Sequence, residues 1–140
     1  MGKLSKFIII THSAEKAGLH HDLRVKNLSH NNGGWDSFAV PNMVPTERGK
    51  KVLAIKTPIH SEEDALFTGR IPSGSYGGGI LKKYDEGDCV IEKYTEKHIV
   101  INFKGKKVSG IYHLINMGTF TTGGRKQKQY ILFKGALKSE

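Results

Sequence analysis

An antiparallel β-barrel of about eight short strands, with short flanking helices, is the fold predicted by this 140-residue sequence. Three observations lead there. Apolar residues come in short runs rich in Ile, Val, Phe and Tyr, the residues that fit a pleated, half-buried surface. Turn-forming residues punctuate those runs at close intervals, and glycine alone occurs 17 times. No long stretch carries the 3.6-residue period of a sizeable amphipathic helix. Many short strands with close turns favour a barrel or sandwich, in which a sheet buries one face against itself. We read one domain over residues 1–140, with no internal repeat and no domain-sized linker.

Taken in order, Phe7-Ile8-Ile9-Ile10-Thr11 is a β-branched strand. Ser13 to Lys16 reads as one helical turn capped by Ser13. His20 to Asn27 is a second strand, and Asn31-Asn32-Gly33-Gly34 a tight connection whose residues tolerate positive φ. Trp35 to Val40 resumes a strand that Pro41 ends. Lys51 to Lys56 is the next strand. Ser61 to Phe67 is a short helix with a serine cap and acidic residues in its first turn. Ser73 to Gly79 is a glycine-rich loop entering a strand from Ile80 to Tyr84. Asp85-Glu86-Gly87-Asp88 reads as a turn before a strand from Cys89 to Tyr94. Ile99 to Phe103 and Val108 to Met117 flank the hairpin signal Lys104-Gly105-Lys106-Lys107. Residues 119–128 are polar and glycine-containing and read as a mobile loop, and Gln129 to Lys134 is the last strand.

Charge narrows the partners. The chain carries 22 Lys plus Arg against 13 Asp plus Glu, a net +9. The excess is uneven: residues 1–70 hold 10 basic and 7 acidic groups (+3), residues 71–140 hold 12 and 6 (+6). A basic surface of this kind favours polyanions, above all nucleic-acid phosphates. Cys89 is the single cysteine, so no internal disulfide can form, and a secreted, disulfide-stapled scaffold is excluded. The apolar run from Phe7 to Ile10 is too short for a signal peptide or membrane span, and Lys6 stands where a myristoylation motif needs Ser or Thr. A soluble, cytoplasmic monomer without membrane contact is the expectation.

The stretch richest in chemistry is His20-His21-Asp22-Leu23-Arg24, with His12 upstream. On a strand, alternate side chains share a face, so His20, Asp22 and Arg24 form one row about 13 Å long. Two imidazoles and a carboxylate suit a divalent transition metal, and an adjacent guanidinium is a natural phosphate clamp. Adjacency puts His21 on the opposite face, as a surface or packing residue. His12 ends the preceding strand, where a returning loop would set it beside His20. His60 lies where a strand gives way to a loop, a common place for functional groups. His30, His98 and His113 have no such context, and His113 reads as a core residue. The loop at 74–79 lacks the Gly-Lys-Ser/Thr of a nucleotide-binding loop. Lys82, Lys83, Lys104, Lys106, Lys107, Lys126 and Lys128 are candidate phosphate contacts.

Several segments, in this order, carry a family resemblance: Phe7-Ile-Ile-Ile-Thr-His12, Leu19-His-His-Asp-Leu-Arg24, Phe38-Ala-Val-Pro41, Ile71-Pro-Ser-Gly-Ser-Tyr-Gly-Gly-Gly79 and Tyr84-Asp-Glu-Gly87. With Gly110-Ile-Tyr-His-Leu-Ile115 and Tyr130-Ile-Leu-Phe-Lys134, they resemble the 3′-phosphoesterase domain of bacterial and archaeal DNA ligase D, in a stand-alone version. The resemblance implies a β-barrel that trims damaged or ribonucleotide-bearing 3′ ends with manganese, removing a terminal ribonucleoside and then the 3′-phosphate left behind. It implies that His12, His20 and Asp22 hold Mn²⁺ (Co²⁺ or Zn²⁺ being alternatives) and that Arg24 and His60 grip the reacting phosphate, making His20, Asp22, Arg24 and His60 the catalytic set. The implied partners are DNA or RNA 3′ ends and, in trans, a DNA ligase or other end-joining proteins. Three departures stand out. The gap from His12 to His20 is two residues longer than the family's, Asn42 replaces a lysine after Val-Pro, and Asp64 replaces a tyrosine four residues after His60. A carboxylate in place of a tyrosine donor repels phosphate, so the monoester step is expected to be weak or absent. Two rival readings are a basic barrel that binds nucleic-acid ends without catalysis, and an Fe(II) oxygenase using His20, Asp22 and a later histidine such as His98.

Overall fold

The computed structural model of the chain describes residues 2–16, 18–72 and 78–135. Its elements are β1 (Lys3–Ala14), β2 (Gly18–Lys26), β3 (Trp35–Val40), β4 (Val52–His60), α1 (Glu62–Ala65), β5 (Gly69–Ile71), β6 (Gly79–Tyr94), β7 (His98–Lys104), β8 (Ser109–Thr122) and β9 (Arg125–Lys134). All strand pairings within the sheet are antiparallel, in the order β1-β2-β3-β4-β9-β8-β7-β6-β5. A further pairing of β1 with β6 closes the sheet into an eight-stranded barrel, with β5 added outside on the first residues of β6. Closure removes the free sheet edges that an open sheet would expose.

Alternation divides the apolar residues into two clusters. Phe7, Ile9, Leu23, Val25, Phe38, Ala54, Ile101, Phe103, Tyr112 and Leu132 point into the barrel and form its core. Phe103 lies edge-on to Phe7 at 4.7 Å and to Tyr112 at 5.3 Å, arrangements that add to simple area burial. Ile8, Ile10, Trp35 and Leu81 point outward, where Ala65 of α1 and Ile71 of β5 cover them. This second cluster explains why Phe7 to Ile10 is buried at every position rather than at alternate ones. Each fully buried Ile, Leu or Phe side chain contributes about 1.5–3 kcal/mol. Burial pushes the Cys89 thiol up to about 12, with Asp88 adding to the shift, so it stays protonated and inert.

The structure corrects three local expectations. Ser13 and Ala14 continue β1, pairing with Leu19 and Gly18, so no helical turn forms at 13–16. Cross-strand pairing outweighs the weak capping signal of Ser13. Residues 85–88 are not a turn, because β6 runs unbroken from Gly79 to Tyr94. The Asp85 carboxylate instead accepts hydrogen bonds from the backbone N–H groups of Lys106, Lys107 and Val108, and Gly87 leaves room for the Lys104 carbonyl, only 2.8 Å from where a Cβ would sit. Residues 119–128, read as a loop, form a hairpin in which Thr119 pairs with Lys128 and Thr122 with Arg125. Its two turn residues, Gly123 and Gly124, have φ of 59° and 80°, the positive-φ pair a two-residue hairpin turn requires. The short helix does appear, over Glu62–Ala65, with Ser61 accepting from the Asp64 N–H, and it is the single helix among the described residues. None there is long and apolar enough to cross a membrane. Most of the glycine-rich loop, residues 73–77, lies outside the described residues.

Candidate metal centre

The β1–β2 register builds the site. His12 lies directly opposite His20, Ile10 opposite Asp22 and Ile8 opposite Arg24. Residues opposite each other point to the same side. Since Ile8 and Ile10 belong to the outer cluster, His12, His20, Asp22 and Arg24 share the outer face. His21 faces inward, with its ring 4.4 Å from that of Tyr84 and its Nδ1 accepting from the Val44 N–H at 3.0 Å. Burial lowers its pKa to about 4, so it is neutral.

The four outward side chains are all buried, at 5–9% exposure, and they converge on one carboxylate. Asp22 Oδ1 is 3.2 Å from His20 Nε2, while Oδ2 is 3.4 Å from His12 Nδ1 and 3.5 Å from Arg24 Nη2. One ligand atom from each of His12, His20 and Asp22 lies within 4.8 Å of the others. Their donor set, two imidazole nitrogens and a carboxylate oxygen, fits a borderline divalent transition metal. His20 Nδ1 lies 3.3 Å from the Gly18 carbonyl. With a proton on Nδ1 there, Nε2 donates to Asp22 while it is protonated as well and has a lone pair for a metal once that second proton is lost, the orientation that an outer hydrogen bond gives metal-ligating histidines. The hydrogen bond to Asp22 raises the His20 pKa, against an opposing effect of burial. Burial by itself would push the Asp22 carboxyl up, but the hydrogen bond from His20 and the charges of His20, Arg24 and His12 hold it below its ordinary value. The carboxylate is therefore ionised at neutral pH.

Arg24 is anchored from the far side. Its Nη1 donates to the carbonyls of Ala65 at 2.9 Å and Asp64 at 3.3 Å, at the C-terminal end of α1, where helical carbonyls lack intrahelical partners. Burial lowers its pKa, and it remains a cation. Its Nε is buried with no hydrogen-bond partner among the described residues. An unpaired donor on a buried cation is a place for an anion.

A register shift brings His60 to the same face. Ala54 points into the core, so plain alternation along β4 would turn His60 inward as well. But Ser37 pairs with Thr57 while Trp35 pairs with His60, so β4 carries one extra residue in this stretch. That bulge places His60 opposite the outward Trp35. Burial lowers the His60 pKa, the charge of Arg24 lowers it further, and Asp22 and Asp64 partly oppose both. Asp64 also acts electrostatically on Arg24, so its carboxylate belongs to the surroundings of the site. Asn42 is exposed in the turn after β3.

The remaining histidines lie elsewhere. His98 hydrogen-bonds His113 at 2.8 Å between ring nitrogens, and His113 stacks on Phe133. His98 is thus not in the metal-capable group, and the iron reading that takes it as third ligand lacks that ligand. The candidate lysines separate by place. Lys82 and Lys83 lie on β6 beside β1, Lys104, Lys106 and Lys107 lie around the β7–β8 turn, and Lys126 and Lys128 lie on the β8–β9 hairpin. Two participants escaped the sequence reading: the α1 carbonyls that hold Arg24 and the Gly18 carbonyl beside His20. Backbone acceptors carry no residue-type signal, so only the fold reveals them.

A family model for the DNA ligase D 3′-phosphoesterase domain matches residues 10–116, a span containing His12, His20, Asp22, Arg24 and His60. The chain is 34% identical over 125 residues to the multifunctional non-homologous end joining protein LigD of Mycolicibacterium smegmatis, covering 81% of this chain and 16% of that protein. It is 35% identical over 118 residues to the LigD of Mycobacterium tuberculosis (81% and 15%), and 32% identical over 136 residues to that of Pseudomonas aeruginosa (94% and 15%). It therefore spans 15–16% of the length of these relatives. The barrel, the His-His-Asp cluster with its arginine, and these matches lead to one conclusion: the chain belongs to the DNA ligase D 3′-phosphoesterase domain family.

Proposed function

We propose that this protein is a metal-dependent phosphoesterase that processes nucleic-acid 3′ ends, removing a 3′-terminal ribonucleoside, in the context of DNA end joining with a ligase. The observation that carries this reading is the convergence of His12, His20 and Asp22 with the anchored Arg24 on one buried outer face, in a chain of this family. His12, His20 and Asp22 would hold the metal, for which Mn²⁺ is our choice. Such an ion supplies Lewis acidity toward a phosphate oxygen and makes bound water more acidic.

The chain's own residues do the rest. Arg24, held by two carbonyls, presents Nε and Nη2 to the phosphate without having to reorganise. His60 is neutral before substrate arrives, and a bound phosphate raises its pKa, turning it into a stronger donor. In the reaction water adds to phosphorus and the bond to the 5′ oxygen of the terminal nucleoside breaks. That oxygen takes up a proton, and a 3′-phosphate remains on the shortened strand. His60 is our candidate for protonating the leaving oxygen. Asp64 adds a negative charge beside the phosphate subsite, so removal of the more highly charged monoester is the weaker activity.

The test is a primer–template carrying one 3′-terminal ribonucleotide, incubated with Mn²⁺, Mg²⁺, Zn²⁺ or a chelator, with 3′-phosphate and 3′-hydroxyl products resolved. Mn²⁺-dependent release of the terminal nucleoside is the expected result. Binding without cleavage under every metal would reject the enzyme in favour of an end-binding barrel.

A further inference from the structure

One end of the barrel holds a second feature that the phosphoesterase site does not use. The ladder between β4 and β9 stops at the pair Ile55–Gln129, although β4 continues to His60 and β9 begins back at Arg125. Between these stretches, which do not pair with each other, lies a groove of about 380 Å³ lined by Lys56, Tyr94, Arg125, Lys126 and Lys128 among others. The single acid among the described residues of its lining, Asp36, is 1% exposed and already satisfied. It accepts from the Ser29 N–H and hydroxyl and lies 3.6 Å from Lys56 Nζ. The groove therefore presents excess positive charge on two facing strands. Burial holds the Lys56 ammonium below its ordinary range, and the charge of Lys128 adds to that effect, with Asp36 opposing it. An anion seated between the strands would relieve this crowding. Tyr94, 46% exposed, offers a flat ring at the rim.

We propose that this groove is a second subsite, binding the phosphodiester backbone of the substrate strand upstream of its reacting 3′ end. The proposal rests on the 3′-end reading above. A reaction at a 3′ terminus leaves the whole remaining strand on one side of the scissile phosphate, and that strand needs a path. Pro58 and Ile59 line the groove, and the next residue, His60, turns to the outer face beside Arg24. By strand rise, Lys56 is about 13 Å from His60, within reach of the nucleotides next to an end held at His60. Lysines and an arginine over the phosphates with a tyrosine under a base is the usual chemistry of sequence-independent strand binding.

The test measures binding without turnover. A 5′-labelled 24-nucleotide strand, made as DNA or RNA and used alone or on a template, is titrated with the full chain in chelator between 50 and 200 mM salt. Lys126→Ala/Lys128→Ala and, separately, Arg125→Ala are compared with Lys50→Ala/Lys51→Ala, which removes the same charge at the opposite end of β4. The groove double variant should raise Kd at least tenfold and lower the salt slope by about 1.5, while the control pair changes Kd less than threefold. Hydrolysis of a small phosphodiester such as bis-para-nitrophenyl phosphate should stay within twofold of the parent in all of them. Tyr94→Ala should weaken binding without changing the salt slope, which separates stacking from charge. Unchanged affinity and slope in the groove variants would overturn the proposal, as would an equal loss in the control pair. The binding and salt-slope readouts need no catalysis, so a parent that binds through the groove but cleaves nothing refutes only the phosphoesterase reading.

Discussion

At the scale of single residues, Asp22 and Arg24 sit 3.5 Å apart yet should fail differently. Asp22→Ala removes a proposed metal ligand, so it should abolish Mn²⁺ binding measured by calorimetry and turnover with it. Arg24→Lys keeps the charge but loses the fork that reaches the α1 carbonyls and, in the proposed reaction, a phosphate. It should retain Mn²⁺ affinity while turnover falls on the order of 10²–10³-fold. Asp64→Tyr replaces a repelling carboxylate with a donor and should raise release of 3′-phosphate relative to release of the ribonucleoside. Neighbouring His21 tests stability rather than chemistry. Folding depresses its pKa from 6.5 to about 4, so the unfolded chain takes up the proton first. Its stabilising effect is complete above pH 6.5 and is lost as pH falls toward 4, by up to about 3 kcal/mol. His21→Leu should cost stability at pH 7 through the orphaned Val44 N–H, but its denaturation midpoint in chelator should fall less steeply over that window than the parent's.

At the scale of elements, α1 is a support for the site. Ser61 caps it, Ala65 buries it over the outer cluster, and its last carbonyls hold Arg24. Ser61→Ala should cost about 1 kcal/mol locally and loosen those carbonyls. The expected result is a roughly fivefold lower kcat with Mn²⁺ affinity unchanged; a loss confined to metal affinity would contradict this role. The elements also show what can be seen in one dimension. His20, Asp22 and Arg24 share a face because a strand has a period of two, and that much was readable from spacing. The barrel class followed from short β-branched runs, and α1 from its cap and acidic first turn. His60 could not be placed that way, because its orientation depends on an extra residue in β4 relative to β3. The Asp85–Asp88 segment has turn composition, but its carboxylate serves a neighbouring turn. Residues 119–128 looked like a loop because their polarity hides pairing that is exposed on both sides.

At the scale of the whole molecule, the cluster sits where the barrel closes. His12 belongs to β1, the strand that pairs with both β2 and β6 and so completes the circle, while His20 and Asp22 belong to β2. A cation held by all three would therefore tie the closing strand to its neighbour, and its binding energy would become folding energy, because the unfolded chain has no preformed site. At a free Mn²⁺ concentration 100 times Kd, the native state gains about 2.7 kcal/mol. For a chain of 140 residues this corresponds to a rise in Tm of roughly 10 °C. Asp22→Ala should show no such rise, and Lys126→Ala/Lys128→Ala should show all of it, since the groove lies at another part of the barrel. A parent Tm indifferent to Mn²⁺, Co²⁺ and Zn²⁺ would mean that the three side chains are a structural hydrogen-bonded cluster, held together by Asp22 and its neighbours alone.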